Sequence, residues 1–271
     1  MSPTPVELRE IARVVRRDIL TMILEAGSGH LGGSLSAVDI LTVLYWGVMK
    51  IRPDRPSWED RDRLILSKAH AAPALYSVLA RRGYYDVREL LTFRQLRSKL
   101  QGFPDMHNTP GIDASVGSSG QGLSIANGVA MAARKDGKSF RVYCVMGDGE
   151  AHEGQVWEAA MTAAHHRLDS VCAVIDRNHM MGDGNTEDIL ALSPLEEKWR
   201  TFNWHVIEVD GHNIEQLSAA FGEAASVKGQ PSLILARTVK GKGVPFMENR
   251  PEWHDRRLTE ELYEDAMKAL S

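Results

Sequence analysis

Apolar residues at Ile11, Val15, Ile19 and Ile23 recur at a four-residue step, which predicts a helix over residues 5–26. Gly27 and Gly29 stop it. A second helix is predicted over 36–49, with Ser36 as its N-cap. Residues 63–67 (RLILS) read as a short strand, 71–82 as a helix ended by Gly83, and 86–96 as helical. Residues 101–122 are rich in proline and glycine and contain GSSGQG. A loop of that length inside a compact chain is usually functional. Residues 123–134 form a small-residue helix suited to close packing on a sheet. Residues 140–184 then read as strand, turn, helix, strand. A helix near 194–201, a strand over 204–209, a helix over 214–226, a strand over 232–237 and an amphipathic helix after Leu258 complete the chain. Nearly continuous apolar strands alternating with helices predict an α/β fold, a parallel sheet covered on both faces by helices. With no internal repeat or flexible linker, residues 1–271 read as one domain.

Composition narrows the partners. A net charge of -4 gives no reason to expect nucleic acid or an anionic membrane. The N-terminus is charged and amphipathic, unlike a signal peptide, and no apolar run approaches the length of a membrane span. Cys144 and Cys172 lie in apolar strands and read as buried hydrophobes in a reducing, cytoplasmic setting.

The chemistry concentrates in residues 140–184. Asp148 ends the first of the two strands there and Asn178 ends the second. Parallel strands joined by a helix bring both side chains to the carboxyl edge of the sheet. A carboxylate, an amide oxygen and a backbone carbonyl just beyond Asn178 suit a hard divalent cation holding a phosphorylated ligand. A helix N-terminus just past Gly149 would offer N–H groups to phosphate oxygens. A dinucleotide site is the rival, but the Gly147-Asp148-Gly149 turn is not GxGxxG.

These residues, with four further segments, resemble the transketolase family of thiamine-diphosphate enzymes. SGHLGGSLSAVDIL (28–41) and DRLILSKAHAAPALY (62–76) are similar to its first two histidine segments. GSSGQGLSIANGVAMA (117–132) is similar to its glycine loop, and VKGKGVPFMENRPEWH (239–254) to its last histidine segment. The resemblance implies a thiamine-diphosphate-binding fold and two cofactors, thiamine diphosphate and Mg²⁺ (or Ca²⁺ or Mn²⁺). Asp148, Asn178 and the Met180 carbonyl would hold the cation. His70, Gly117, Ser118, Ser119, Gly149, Glu150, Asn178, Lys240 and His254 would contact the organic cofactor. His30, His70 and His254 would line the substrate channel, and Glu153 would help link two active sites across an interface. His107, His165, His166, His179 and His212 are left as loop or surface residues, and Asp183 as a turn residue. Lys68 reads equally as a phosphate contact and as a solvated lysine.

The family's activating glutamate lies on a pyrimidine-binding domain that would come after a region like this one. The chain is therefore expected to be the N-terminal subunit of a split transketolase, inactive alone. A C-terminal subunit would bring the glutamate, in a heterotetramer with two copies of each chain. It would move a two-carbon ketol unit from a ketose or ketose phosphate to an aldose. Two alternatives stay open: acyl transfer from a 2-oxoacid, as in a deoxyxylulose-phosphate synthase, or a cofactor-binding partner that turns nothing over. Phe103 stands where the family has a histidine that bonds donor hydroxyls, which makes it a candidate selectivity residue. Ser119 replaces a usual leucine, and Asp255-Arg256-Arg257 depart from the family's glycine and lysine.

Overall fold

A computed structural model describes residues 3–182 and 184–271. Five parallel strands, β1 (Arg63–Leu66), β2 (Val142–Gly147), β3 (Val171–Arg177), β4 (His205–Asp210) and β5 (Ser232–Arg237), form one sheet in the order β1-β2-β3-β5-β4. Helices α1 (Pro5–Ala26), α2 (Leu31–Val43), α3 (Ala72–Arg81), α8 (Ile214–Ser226) and α9 (Glu260–Ala269) gather on one side. Helices α4 (Gly122–Lys135), α5 (Gly154–His165) and α7 (Leu195–Thr201) cover the other. The short α6 (Thr186–Ile189) lies beyond β3.

Successive strand residues feed opposite cores. Tyr143 and Val145 enter the α1–α2 core, whereas Val142, Cys144 and Met146 enter the α4–α5 core. Cys172 pairs in register with Tyr143 and so faces away from Cys144. The two thiols are buried on opposite sides of the sheet, and burial pushes both pKa values up. The hydrophobe reading of both cysteines follows from that alternation.

The first helix runs as the pattern predicts, opened by a capping box in which Thr4 and Glu7 bond each other's backbone, and closed by Gly27 at a left-handed φ of 64°. The second does not. α2 starts at Leu31, so Ser36 is buried inside the helix and is not its N-cap. The helix continues as a π turn over Leu44–Val48. All thirteen residues of α2 are buried, so no amphipathic stripe marks its start. Leu31–Val48 is 18 residues long with a mean hydropathy of 1.4, contrary to the expectation that no run approaches spanning length. Its window is 83% buried by the helices around it, as befits a central core helix. Residues 86–96 contain only a 3₁₀ turn, Val87–Thr92, because Arg94 takes a left-handed φ of 60° that ends helical winding.

The long loop before α4 is sewn to the sheet. Buried Asp113 accepts the Leu64 N–H of β1 at 2.8 Å and pairs with Arg61. The Tyr76 hydroxyl donates to the carbonyls of Gln101 (2.9 Å) and Phe103 (3.1 Å). Asp113→Ala would strand a buried guanidinium and a strand amide. The expected loss is about 3 kcal/mol or more in urea unfolding, and Asp113→Asn should cost clearly less. Equal losses would show that the charge contributes nothing.

Candidate functional site

Four strand ends converge on one cavity of about 370 Å³. It opens where parallel strands finish, outside their carboxyl ends. Asp148 follows β2, Asn178 follows β3, Ser67 and Lys68 follow β1, and Lys240 lies three residues past β5.

Asp148 is buried, its Oδ1 accepting from Gly149 N–H at 2.9 Å and its Oδ2 from His179 N–H at 2.6 Å. Burial first, and then the nearby Asp176 carboxylate, raise its pKa to about 6. Asn178 Oδ1 accepts from Met180 N–H at 3.0 Å, and His179 sits between them at a left-handed φ of 60°. That turn folds Met180 back toward Gly149, whose position leaves room for a carbonyl and for Met181. His179 thus contributes its backbone to the site, beyond the loop role expected of it. Asp183 falls outside the described residues.

Among the described residues no three His, Cys, Asp or Glu side chains gather as a metal site. A cation here would instead rest on one carboxylate, one amide oxygen and one main-chain carbonyl. The donors fit a hard cation, because all are oxygens and the carboxylate is held above its usual range by burial and by the nearby Asp176. One expectation fails. No α-helix begins just past Gly149; a 3₁₀ turn, Gly149–His152, intervenes and α5 starts at Gly154. The positive charge near Asp148 comes from lysines.

Lys68 is buried against Asp176, with side chains 1% and 0% exposed, which removes the solvated reading. Asp176 also accepts from Ser36 Oγ at 2.6 Å and from Thr238 Oγ1. Burial tends to raise its pKa, but Lys68 and these hydroxyls hold it below the ordinary value. Lys240, also buried, donates to the Met181 carbonyl at 3.2 Å. Burial and Lys68 press its pKa down to about 8.

His30, His70 and His254 form a triangle with ring centroids 5.1–5.4 Å apart. Burial is the main cause that lowers all three pKa values, reinforced by neighbouring cations; His70 is pushed well down and His254 to about 4. The rings are neutral at ordinary pH, each able to donate from one nitrogen and accept at the other. His254 Nδ1 is buried without a partner among the described residues. Gly32 and Gly33 explain the adjacent glycines: a Cβ at Gly32 would lie 2.8 Å from the Lys240 side chain, and one at Gly33 2.8 Å from His70 Nε2.

The remaining predicted residues divide. Gly117 and Ser119 line the cavity on an exposed loop; Ser118 is on that loop but outside the lining. Glu150 lines it too, with its carboxylate engaged by Ser67 Oγ, Gly120 N–H (2.8 Å) and Gly147 N–H (3.1 Å). Glu153 is exposed at the rim and Phe103, 47% exposed, forms part of the wall. His107, His165 and His166 are exposed, as expected. His212 lies in a loop, as expected, but its side chain is turned inward and bonds Asp39 at 2.7 Å. Sequence reasoning misses Asp176 and Ser67. The available signal, for Asp176, is an acid directly after five apolar strand residues, a place where charge is costly without a partner.

Residues 8–270 match the family of the transketolase thiamine diphosphate binding domain. The chain is similar to the 6-deoxy-6-sulfo-D-fructose transketolase subunit SqwG of Clostridium sp. (strain MSTE9), 45% identical over 270 residues, covering 100% of this chain and 98% of that one. It is 37% identical over 256 residues to an apulose-4-phosphate transketolase subunit of Phocaeicola vulgatus, covering 94% and 91%. The solved transketolase of Campylobacter jejuni superposes with a TM-score of 0.91 at 33% identity, over 97% of this chain and 42% of that one. The chain thus spans under half of that full-length transketolase and nearly all of the two named subunits.

Imidazoles with folded pKa values below the ordinary 6.5 stabilise the fold fully above that pH, and the contribution is lost as pH falls toward about 4. Asp148, raised, acts in the opposite sense over the acid range, so a variant comparison isolates the histidine. Between about pH 7.5 and 5, the wild type should lose more stability in urea unfolding than His254→Gln. Equal losses would mean that His254 is not held neutral by the fold.

Proposed function

This chain belongs to the transketolase family through its thiamine-diphosphate-binding domain, and from that premise we propose that it is the diphosphate-binding subunit of a two-chain transketolase. The observation that carries the reading is the joint placement of an oxygen donor set, two buried lysines and a triangle of neutral histidines in one cavity. Asp148, Asn178 and the Met180 carbonyl would hold Mg²⁺, or Ca²⁺ or Mn²⁺ in its place. Lys240, with Gly149 and the 117–119 loop, would receive the diphosphate. When bound, the cofactor supplies a nucleophilic carbon for the donor's carbonyl. His30, His70 and His254, uncharged, would hold substrate hydroxyls and pass protons between them in either direction.

The two-chain reading is supported by relatives that are themselves named subunits and match this chain along 98% and 91% of their length. Residues 1–271 would form one domain, and a C-terminal subunit would bring the activating glutamate. Ile189 and Leu190, 48% and 62% exposed beyond β3, offer apolar surface for that subunit. Glu153, at the rim, would face it. A heterotetramer with two copies of each chain would complete two sites, in a cytoplasmic setting consistent with two buried thiols.

The donor would be a ketose carrying an anionic group, phosphate or sulfonate, and the acceptor an aldose. Arg94 supports an anionic donor: it bonds Ser28 Oγ at 3.0 Å, lowers the His30 pKa by its charge, and has no carboxylate partner among the described residues. Phe103 replaces a donor-binding imidazole with an apolar wall.

With Mg²⁺ and thiamine diphosphate, the chain alone should transfer no ketol unit, and the glutamate-bearing subunit should restore transfer. Full activity without it would overturn the two-chain reading. Asp148→Asn should weaken thiamine diphosphate binding by about tenfold or more, measured by calorimetry in Mg²⁺. In the assembled enzyme, Phe103→His should shift kcat/KM toward unmodified ketose phosphates. An unaltered donor profile would remove residue 103 as selector.

A further inference from the structure

Beneath the cavity, three side chains that play no part in the reading above form a continuous chain of contacts. Arg16 in α1 grips Asp39 in α2 with both terminal nitrogens, Nη1 to Oδ1 at 3.2 Å and Nη2 to Oδ2 at 2.6 Å. The pair is buried, 9% and 7% exposed. Asp39 Oδ2 also lies 2.7 Å from Nδ1 of His212, in the loop between β4 and α8. The other ring nitrogen, Nε2, accepts the Val239 N–H at 2.8 Å. A main-chain amide only donates, so Nε2 is unprotonated, and Nδ1 carries the ring proton and gives it to Asp39. The tautomer is set by the two partners. Arg16 Nε, meanwhile, donates to the Lys242 carbonyl at 3.1 Å.

Both ends of this network land on residues 239–242, the stretch that carries Lys240. Thr238, just before it, is bonded to Asp176, and Gly241 N–H donates to the Gly32 carbonyl at 3.0 Å. Asn249 N–H donates to the Lys240 carbonyl at 2.9 Å. A buried ion pair is no better for stability than well-packed apolar side chains, and often worse. What it adds is direction: a carbonyl and an amide are held at set angles as well as set distances. A lysine needs that help, because its ammonium rides on a flexible four-carbon stem.

We propose that Arg16, Asp39 and His212 are positioning residues, which hold the main chain at Val239 and Lys242 so that the Lys240 ammonium points into the diphosphate end of the cavity. The inference rests on the reading of that cavity as a diphosphate site. His212→Phe keeps a ring and loses both bonds; His212→Gln keeps an N–H for Asp39 and a carbonyl for Val239. The enzyme assembled with its C-terminal subunit would be compared as wild type and as both variants in two readouts. One is the affinity for thiamine diphosphate in Mg²⁺ by calorimetry. The other is the rate at which an amine reagent labels Lys240, located by peptide mass. His212→Phe is expected to weaken binding about tenfold or more and to change the Lys240 labelling rate, with His212→Gln close to wild type in both. Val15→Ala, a core change in the same helix as Arg16, controls for lost stability and should leave both readouts alone. If His212→Phe behaved like Val15→Ala at a comparable loss of stability, the network would be structural only and the inference wrong. If the wild type bound no thiamine diphosphate while His212→Phe still altered Lys240 labelling, the diphosphate reading would fall and the positioning of Lys240 would stand.

Discussion

The cavity depends on one buried carboxylate. Asp176 takes the Lys68 ammonium, the Ser36 hydroxyl and the Thr238 hydroxyl, and so ties together the end of β1, the middle of α2, the end of β3 and the exit from β5. A parallel ladder aligns strands up to their last hydrogen bond and has no hold on the residues beyond it. The side chains of the site lie just past that point: His70 two residues after Lys68, Asn178 two after Asp176, Lys240 two after Thr238. Ion pairing at Asp176 supplies the order that the sheet cannot. Burying such a pair gains little stability, so its value lies in fixing one arrangement.

The same carboxylate shapes the electrostatics. It holds Lys68 beside the histidines, where, after burial, Lys68 is the main charge that keeps His70 neutral and Lys240 the main one at His254. As a like charge near Asp148 it also adds to the rise in that pKa caused by burial, so this carboxylate is held in a state that a cation would relieve. Anchoring and tuning come from one residue.

Much of this is legible in the sequence. The strands emerge as nearly continuous apolar runs, and most helices from apolar periodicity or a clear Gly stop. The Asp148 and Asn178 ends are legible because each is a polar residue closing an apolar strand, and the histidines are legible through the resemblance of their segments to the family. The misreadings share a cause. α2 is buried on every side, so its pattern carries no phase and Ser36 resembles a cap. Lys68 is not read as paired, nor His212 as bonded, because their partners, Asp176 and Asp39, are more than a hundred residues away in the chain. Local sequence carries no trace of a partner brought in by the sheet. The long loop is legible as important but not as structured, because its ties run through single side chains such as Asp113 and Tyr76.

The Tyr76 hydroxyl holds the carbonyls of Gln101 and Phe103, and asks nothing of the side chain at 103. The backbone of the wall is thus set by a residue from α3, while the group it presents to the cavity is free to vary. A substitution at residue 103 changes that group while both carbonyl bonds to Tyr76 remain. The shape of the wall and the chemistry of its face are thus under separate control, one set by a hydroxyl from α3 and the other by the residue at 103.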